Sequence, residues 1–354
     1  MRAAVVDADG RITSGAVPTP AVGAGEVRVA IDACGLCGSD LHTYHDRSWK
    51  TGLIPGHEIA GRIESIGPDT SDTSDTSDVA HARGLEIGTR VVVEPLVPCR
   101  HCSACESGHE PICPDLRIAG VHHAGGFAEY ITVPIERIYP VPANVPAVTA
   151  ALCEPLAVAL HALDRADLQN GERVLVLGGG AIGILCAFTA LRAGASEVVV
   201  RARYDHQQAR ARDIAGATAV DTESSIREQG LESRFDLVLE TVGGSSETLR
   251  EGLAAIRHGG RIAILGLFAP NPAFDPMGAL IKEVTLLWSS VYSTKRSNGK
   301  PGAGDFERAV EILNEAGDDL RHLVTHEVPL ANIEKAFETA ANKHEGVGKL
   351  VVLA

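Results

Sequence analysis

The chain has 354 residues, 45% of them hydrophobic and 22% charged, with a formal net charge of -14 at pH 7. That apolar mass predicts two domains with sizeable cores, and the acidic balance excludes a broad nucleic-acid or anionic-membrane surface, which clustered Lys and Arg would have to hold. Residues 1–7 carry no basic segment leading into an apolar core, and no window of about 18 residues reads as apolar enough to span a bilayer, so a cytoplasmic protein acting on small molecules is expected.

The first 150 residues predict short strands at 27–31, 91–93 and 130–133 between Gly and Pro turns, a β-rich and irregular domain. Inside it, Gly35-Leu36-Cys37-Gly38-Ser39-Asp40-Leu41-His42 and Pro55-Gly56-His57-Glu58 carry thiol, imidazole and carboxylate groups. Residues 69–78 repeat Ser, Asp and Thr with no apolar anchor, which reads as a solvated loop; a calcium loop would need EF-hand spacing and a turn glycine.

Cys99-Arg100-His101-Cys102-Ser103-Ala104-Cys105 with Cys113 makes a C-x2-C-x2-C-x7-C run. Four thiolates this close can converge on one tetrahedral ion; a disulfide pair is the alternative, and a cytosolic setting favours structural zinc. Such a closed site leaves no position for substrate, so the lobe at about 95–115 is expected to fold a loop while the chemistry lies elsewhere. Just beyond, His122 and His123 either line a pocket or stand on the surface.

After Leu152-Cys153-Glu154-Pro155, apolar strands at 173–177, 198–200, 237–239 and 262–265 alternate with helical stretches such as 181–193. That pattern predicts an α/β parallel sheet covered by helices. Gly178-Gly179-Gly180-Ala181-Ile182-Gly183 is G-x-G-x-x-G directly after a strand and opening a helix, where glycines allow a tight turn and the helix amino terminus favours a pyrophosphate. A plain glycine turn is the alternative. At the next strand end, Val200-Arg201-Ala202-Arg203-Tyr204-Asp205 puts Ala202 where an NAD enzyme normally has an acid, between two arginines. A guanidinium, Arg203 before Arg201, can pair with a 2′-phosphate, so NADP is favoured over NAD. In the competing reading both arginines are a solvated strand end and Asp205 takes the ribose.

Residues 305–314 and 331–341 read as helical, and the chain closes on a strand at 349–352, which needs a partner from the amino-terminal region. The domains expected are therefore a dinucleotide-binding unit at 150–295 inserted in a discontinuous catalytic unit of 1–149 and 296–354. Cys37, His57, Glu58 and Glu154 are all competent zinc ligands, and three protein ligands with one open position make a catalytic site. Singly they have plainer uses: Cys37 as a small core residue, His57 and Glu58 as a surface pair, Glu154 as a helix cap.

These motifs, with Gly125-Gly126-Phe127-Ala128-Glu129-Tyr130, occur in an order that resembles the zinc-dependent medium-chain dehydrogenase/reductase family over essentially the whole chain. The resemblance implies a Rossmann doubly wound sheet inserted in a β-rich, GroES-like catalytic domain, two zinc ions per chain, and a homodimer or homotetramer. Glu154-Pro155-Leu156 is similar to the polyol branch and its threonine, butanediol and glucose dehydrogenase relatives, whereas ethanol-type members place Cys there.

Carried over, Cys37 and His57 match direct zinc ligands, Glu58 a ligand or its supporter, and Glu154 the remaining ligand, direct or through water. Zinc in such a site acidifies the alcohol, and a hydride passes to the nicotinamide. Ser39 and His42, two and five residues after Cys37, match a relay that carries the alcohol proton away. Asp40 is expected to hold the loop or a zinc ligand. The four-cysteine lobe is often missing from polyol members, and residues 292–305, longer than their usual counterpart, fall where substrate contacts are expected. The activity implied is oxidation of a secondary alcohol, polyol or sugar-like hydroxyl with NADP, or the reverse reduction. An NAD-dependent threonine- or butanediol-type enzyme and a non-catalytic dinucleotide-binding sensor are the alternatives.

Overall fold

The computed structural model describes residues 1–68, 84–293 and 303–354; the Ser/Asp/Thr repeat at 69–78 and residues 294–302 lie outside the described residues. The chain divides into two compact units, residues 1–154 with 307–354, and residues 155–306. The joints fall after Glu154 and Phe306, several residues beyond the expected 149 and 295. Helix Ala147–Ala150 packs on strands Glu26–Gly35 and Glu58–Ile66 of the first unit. Asp305 and Phe306 are tied into the second unit by the His161–Asp305 pair at 2.9 Å and the Tyr292–Phe306 ring contact at 5.5 Å.

In the second unit six parallel strands run in the order Thr218–Val220, Glu197–Arg201, Arg173–Leu177, Phe235–Glu240, Ile256–Ile264, Thr285–Trp288. By chain position that is the doubly wound dinucleotide-binding order, which reverses between Arg173–Leu177 and Phe235–Glu240. These strands are continuous Val and Leu runs because both faces are covered: Leu175, Val176, Leu237 and Val238 are fully buried.

The first unit is built on a seven-stranded sheet. Its main path is Val324–Pro329, Lys349–Leu353, Glu26–Gly35, Glu58–Ile66, Arg90–Val93, Ile138–Pro140, and Tyr130–Pro134 also pairs with Glu26–Gly35. Along Glu26–Gly35, buried Val27, Val29, Ile31 and Ala33 alternate with half-buried neighbours, the period of two that a sheet with one core face imposes. The terminal strand finds its partner in the amino-terminal region, Val351 opposite Gly35.

One expectation is corrected. The helical stretch Ala147–Arg165 is long and apolar enough to cross a membrane, with a mean hydropathy of 1.4 over its window. It is apolar because it is a core element: 78% of that window is buried inside the protein.

Candidate metal and cofactor sites

Cys37 caps the amino terminus of helix Gly38–Asp46 in an extended conformation, and Asp40 reaches back so that its Oδ2 accepts the Cys37 backbone N–H at 3.0 Å. Tyr44 and Trp49 fasten the region against Phe337, with ring centroids 4.8 and 5.6 Å apart. His57 and Glu58 stand at the start of strand Glu58–Ile66. Gly56, at φ +95°, makes the turn before them, and a Cβ there would lie 2.9 Å from Cys34 Sγ and 3.0 Å from the Phe127 ring.

The possible ligand atoms of Cys37, His57 and Glu58 all lie within 4.8 Å of one another. His57 is 7% exposed and Glu58 fully buried, yet His57 Nδ1 and Glu58 Oε2 have no hydrogen-bond partner among the described residues. Such atoms are costly unless something binds them. Asp40 Oδ1 lies 3.8 Å from His57 Nδ1, beyond a hydrogen bond but close enough for its charge to act on the ring. Burial alone would lower the His57 pKa, but Asp40, Cys37 and Glu154 raise it well above its ordinary value. Glu154 is also buried but is not one of the close trio; burial pushes it up to about 7, His57 opposing and Glu58 adding. Three buried carboxyls and a thiol facing Lys349 and one imidazole form a cation-hungry pocket, and the S, N and O donors fit zinc.

Lys349 opens the terminal strand and donates through Nζ to Glu58 Oε1, both side chains being buried. Gly35 gives the carboxylate its room, since a Cβ there would come within 1.9 Å of Glu58 Oε2. Sequence reasoning passed over both residues; the available signal was a lysine at the head of an otherwise apolar strand.

In the four-cysteine lobe, Cys99 Sγ lies 4.0 Å from Cys105 Sγ, Cys102 Sγ 3.5 Å from Cys105 Sγ, and the Cys99 N–H donates to Cys113 Sγ at 3.4 Å. A disulfide needs sulfurs about 2 Å apart, whereas the edge of a zinc–thiolate tetrahedron is about 3.8 Å. All four sulfurs fall within 4.8 Å, so the cage fits a closed zinc site.

In the second unit, Gly178 follows strand Arg173–Leu177 at φ +114°, and Gly180 caps helix Ala181–Arg192. A Cβ on Gly183 would lie 2.0 Å from the Gly178 carbonyl, so helix and turn approach as only glycine allows. A Cβ on Gly178 would also meet Thr241, just past the carboxyl end of the neighbouring strand, where the strand order reverses. This cradle suits a pyrophosphate, with Ala181 and Ile182 supplying the first N–H groups of the helix. Ala202, just past the end of its strand, is buried, and Arg203 is exposed with no ion-pair partner among the described residues.

Arg201 departs from expectation. It is 3% exposed and its guanidinium is spent on Glu251, Gln229 and the carbonyls of Asp221 and Thr222, so it is packing inside the unit and no solvated strand end. Its strand is buried on both faces, so the side chain has no solvated side to take.

Ser39 and His42 share helix Gly38–Asp46, Ser39 half-buried and His42 exposed. His122 is exposed and its Nδ1 accepts the Ile118 N–H at 2.9 Å, while His123 is half-buried. A buried ion pair, Arg137–Glu94 at 2.7 Å, and a buried hydrogen bond, His161–Asp305 at 2.9 Å, join distant segments that carry no local motif.

Comparison with known proteins agrees with this architecture. The family model for the alcohol dehydrogenase GroES-like domain matches residues 23–143, and that for the glucose dehydrogenase C-terminus matches 147–350. L-threonine 3-dehydrogenase of Anaeromyxobacter dehalogenans (strain 2CP-C) is 31% identical over 340 residues, 93% of this chain and 92% of that protein. A structure from Sinorhizobium meliloti 1021, described as a zinc-binding dehydrogenase bound to NADP, superposes with a TM-score of 0.85 at 27% identity, covering 100% of this chain and 99% of that one. Galactitol-1-phosphate dehydrogenase from Escherichia coli gives 0.86 at 27% identity, covering 100% of both. With a GroES-like amino-terminal unit, a doubly wound nucleotide unit and relatives of this kind over nearly its full length, the chain belongs to the zinc-dependent medium-chain dehydrogenase/reductase family.

Proposed function

We propose that the protein is a two-zinc dehydrogenase that moves a hydride between NADP(H) and a secondary alcohol, polyol or sugar-like hydroxyl, or the matching ketone. The observation that carries this reading is the buried convergence of Cys37, His57 and Glu58 beside Asp40, with two polar atoms left unpartnered. Cys37 and His57 hold the catalytic metal, with Glu58 or Glu154 as the remaining ligand, and Cys99, Cys102, Cys105 and Cys113 hold the structural one. The catalytic zinc, when bound, supplies Lewis acidity that makes an alcohol proton easy to lose.

The chain's own residues do the rest. Asp40 fixes the Cys37 turn through the Cys37 N–H and sets its negative charge beside the His57 ring, so the ligand pocket is charged before substrate arrives. Ser39 receives the substrate proton and His42, exposed at the helix surface, passes it to water. The turn at Gly178, Gly180 and Gly183 holds the dinucleotide, and unpaired Arg203 beside Ala202 takes a 2′-phosphate.

Copies of the chain associate, in this reading, along strand Thr285–Trp288. It is one of the two edges of its sheet, unpaired among the described residues, and Met277, Leu280, Ile281 and Trp288 there are 63–68% exposed. An edge strand is self-complementary about a twofold axis, and covering it removes an aggregation hazard. A cytoplasmic setting suits the free thiols of the metal sites.

The deciding experiment follows nicotinamide absorbance with purified, zinc-loaded protein against polyols, sugars, amino alcohols, threonine and butanediols, using both cofactors. Turnover of a polyol or sugar-like alcohol with NADP+ supports the proposal. Turnover of threonine with NAD+ alone would replace it with the reading the L-threonine 3-dehydrogenase relative favours.

A further inference from the structure

Strand Phe235–Glu240 ends where the strand order of the second unit reverses, and the turn after it is tied to both neighbouring strand ends. The Thr241 N–H and hydroxyl donate to the Leu177 carbonyl at 3.0 and 2.8 Å, on the strand that leads into the glycine turn, and a Cβ on Gly178 would lie 2.9 Å from Val242 Cγ2. On the other side, the N–H groups of Leu265 and Gly266 donate to the Glu240 carbonyl at 2.8 and 3.2 Å, and the Gly244 N–H donates to the Leu267 carbonyl at 2.7 Å. Gly243 sits at φ +64°, and a Cβ there would come within 2.5 Å of the Leu267 nitrogen, so the turns at 241–244 and 265–267 are pressed together.

The Glu240 side chain ties into both turns. It is fully buried, and its Oε1 accepts three hydrogen bonds, from the N–H groups of Val242 and Gly243 at 2.9 and 3.0 Å and from the Thr248 hydroxyl at 2.8 Å. Oε2 has no hydrogen-bond partner among the described residues. A Cβ on Gly266 would lie 2.4 Å from that oxygen and 2.4 Å from the Gly243 nitrogen, so the second turn packs on the carboxylate where only glycine fits. A buried oxygen without a donor is costly. Against that cost, the first oxygen fixes the backbone of Val242 and Gly243 and the opening of helix Thr248–Ala255 at once. What the fixed turns carry is apolar and uncovered, for Val242 and Leu267 are 45% and 59% exposed.

In a doubly wound sheet a dinucleotide spans the reversal point, one half on each side of the glycine turn. Strand Glu197–Arg201, with Ala202 and Arg203 beyond it, lies on one side, which leaves the turns at 241–244 and 265–267 for the nicotinamide half. Resting on the dehydrogenase reading of the chain, we propose that Glu240 is a positioning residue for that half: its carboxylate holds the two turns in one arrangement, and their bare apolar side chains take the nicotinamide ring. Fully buried, Glu240 itself touches neither cofactor nor substrate.

The test is calorimetric binding to the zinc-loaded protein of NADP+ beside its fragment adenosine 2′,5′-bisphosphate, and of NAD+ beside adenosine diphosphate; both fragments lack the nicotinamide half. Glu240→Ala removes the acceptor of three hydrogen bonds and should weaken the dinucleotide about tenfold to a hundredfold while its fragment binds as to wild type. Thr248→Val, which deletes one donor, should weaken the dinucleotide alone by about twofold to tenfold, and Glu240→Gln, which keeps an oxygen in place of Oε1, should retain more affinity than Glu240→Ala. A contribution to the fold alone would lower thermal stability and leave the ratio of dinucleotide to fragment affinity at its wild-type value in all three variants. That result, or an equal loss for dinucleotide and fragment, would overturn the proposal. Should Glu240→Ala not fold, the ratio in Thr248→Val decides in the same way. Failure of the underlying reading shows separately, as wild-type protein that binds neither NADP+ nor NAD+.

Discussion

Lys349 donates to Glu58 Oε1 from 291 residues away along the chain, and the two buried side chains join the last strand to the metal-site strand. The sheet arranges this, since Gly35 lies opposite both Val351 and Glu58. Removing one partner of such a pair leaves an uncompensated buried charge. Lys349→Ala should therefore cost about 3–5 kcal/mol in denaturant unfolding, and Lys349→Arg less. A Lys349→Ala protein as stable as wild type would show that Glu58 is held by other contacts.

Carefully purified protein should contain two zinc ions per chain by elemental analysis. Cys37→Ser should lose one ion and turnover while staying folded, whereas Cys102→Ser should impair folding, because a closed structural site contributes its binding energy to the fold. One ion or none in a folded and active sample would remove the two-site assignment.

The two arginines flanking Ala202 should separate cleanly. Arg203→Ala should lower kcat/KM for NADP(H) about tenfold to a hundredfold and spare NAD(H), since it deletes a phosphate partner alone. Arg201→Ala should instead destabilise the protein by leaving Glu251, the Thr222 carbonyl and the Gln229 side-chain oxygen without the Arg201 donor, with the ratio of cofactor efficiencies unchanged. Equal efficiencies for both cofactors in the wild type would mean that Arg203 contacts no phosphate.

Proton transfer makes its own demand. Ser39→Ala should depress kcat strongly with zinc content intact, and His42→Ala by about tenfold to a hundredfold, the lower part of the range for acid–base assistance. Small external bases should rescue the His42 variant in part, because that residue is exposed. Unchanged turnover in His42→Ala from mildly acidic to mildly alkaline pH would send the proton by another path.

Acid sensitivity of the nucleotide unit should trace to Asp236. Burial alone would raise its pKa, but Arg257 at 2.6 Å and Arg173, through N–H and guanidinium, hold it down to about 2. A depressed folded-state pKa gives stability that is complete above the unfolded value of about 4 and is lost as pH falls toward 2. Asp236→Asn should lower stability near neutral pH and show a flatter decline between about pH 4 and pH 2. Parallel pH profiles for the two proteins would place the acid-labile group elsewhere.

By itself the sequence determined what is local. The glycine fingerprint, the four-cysteine run and the strand–helix alternation each lie within a few residues of chain, where backbone geometry and side-chain spacing alone limit what can form, and the terminal strand announced its need for a partner. The tertiary structure decided whatever depended on which face a side chain took or which distant strand lay beside it. Arg201 turned inward onto Glu251, Lys349 met Glu58 through the register of three strands, and His161 met Asp305. Residues 147–165, where no membrane-length apolar window was expected, do carry one, and the core that surrounds them explains it. Hydrophobic pattern reports that a segment is buried, but the sheet order and register that choose its neighbours are set by the sum of many weak contacts across the whole unit.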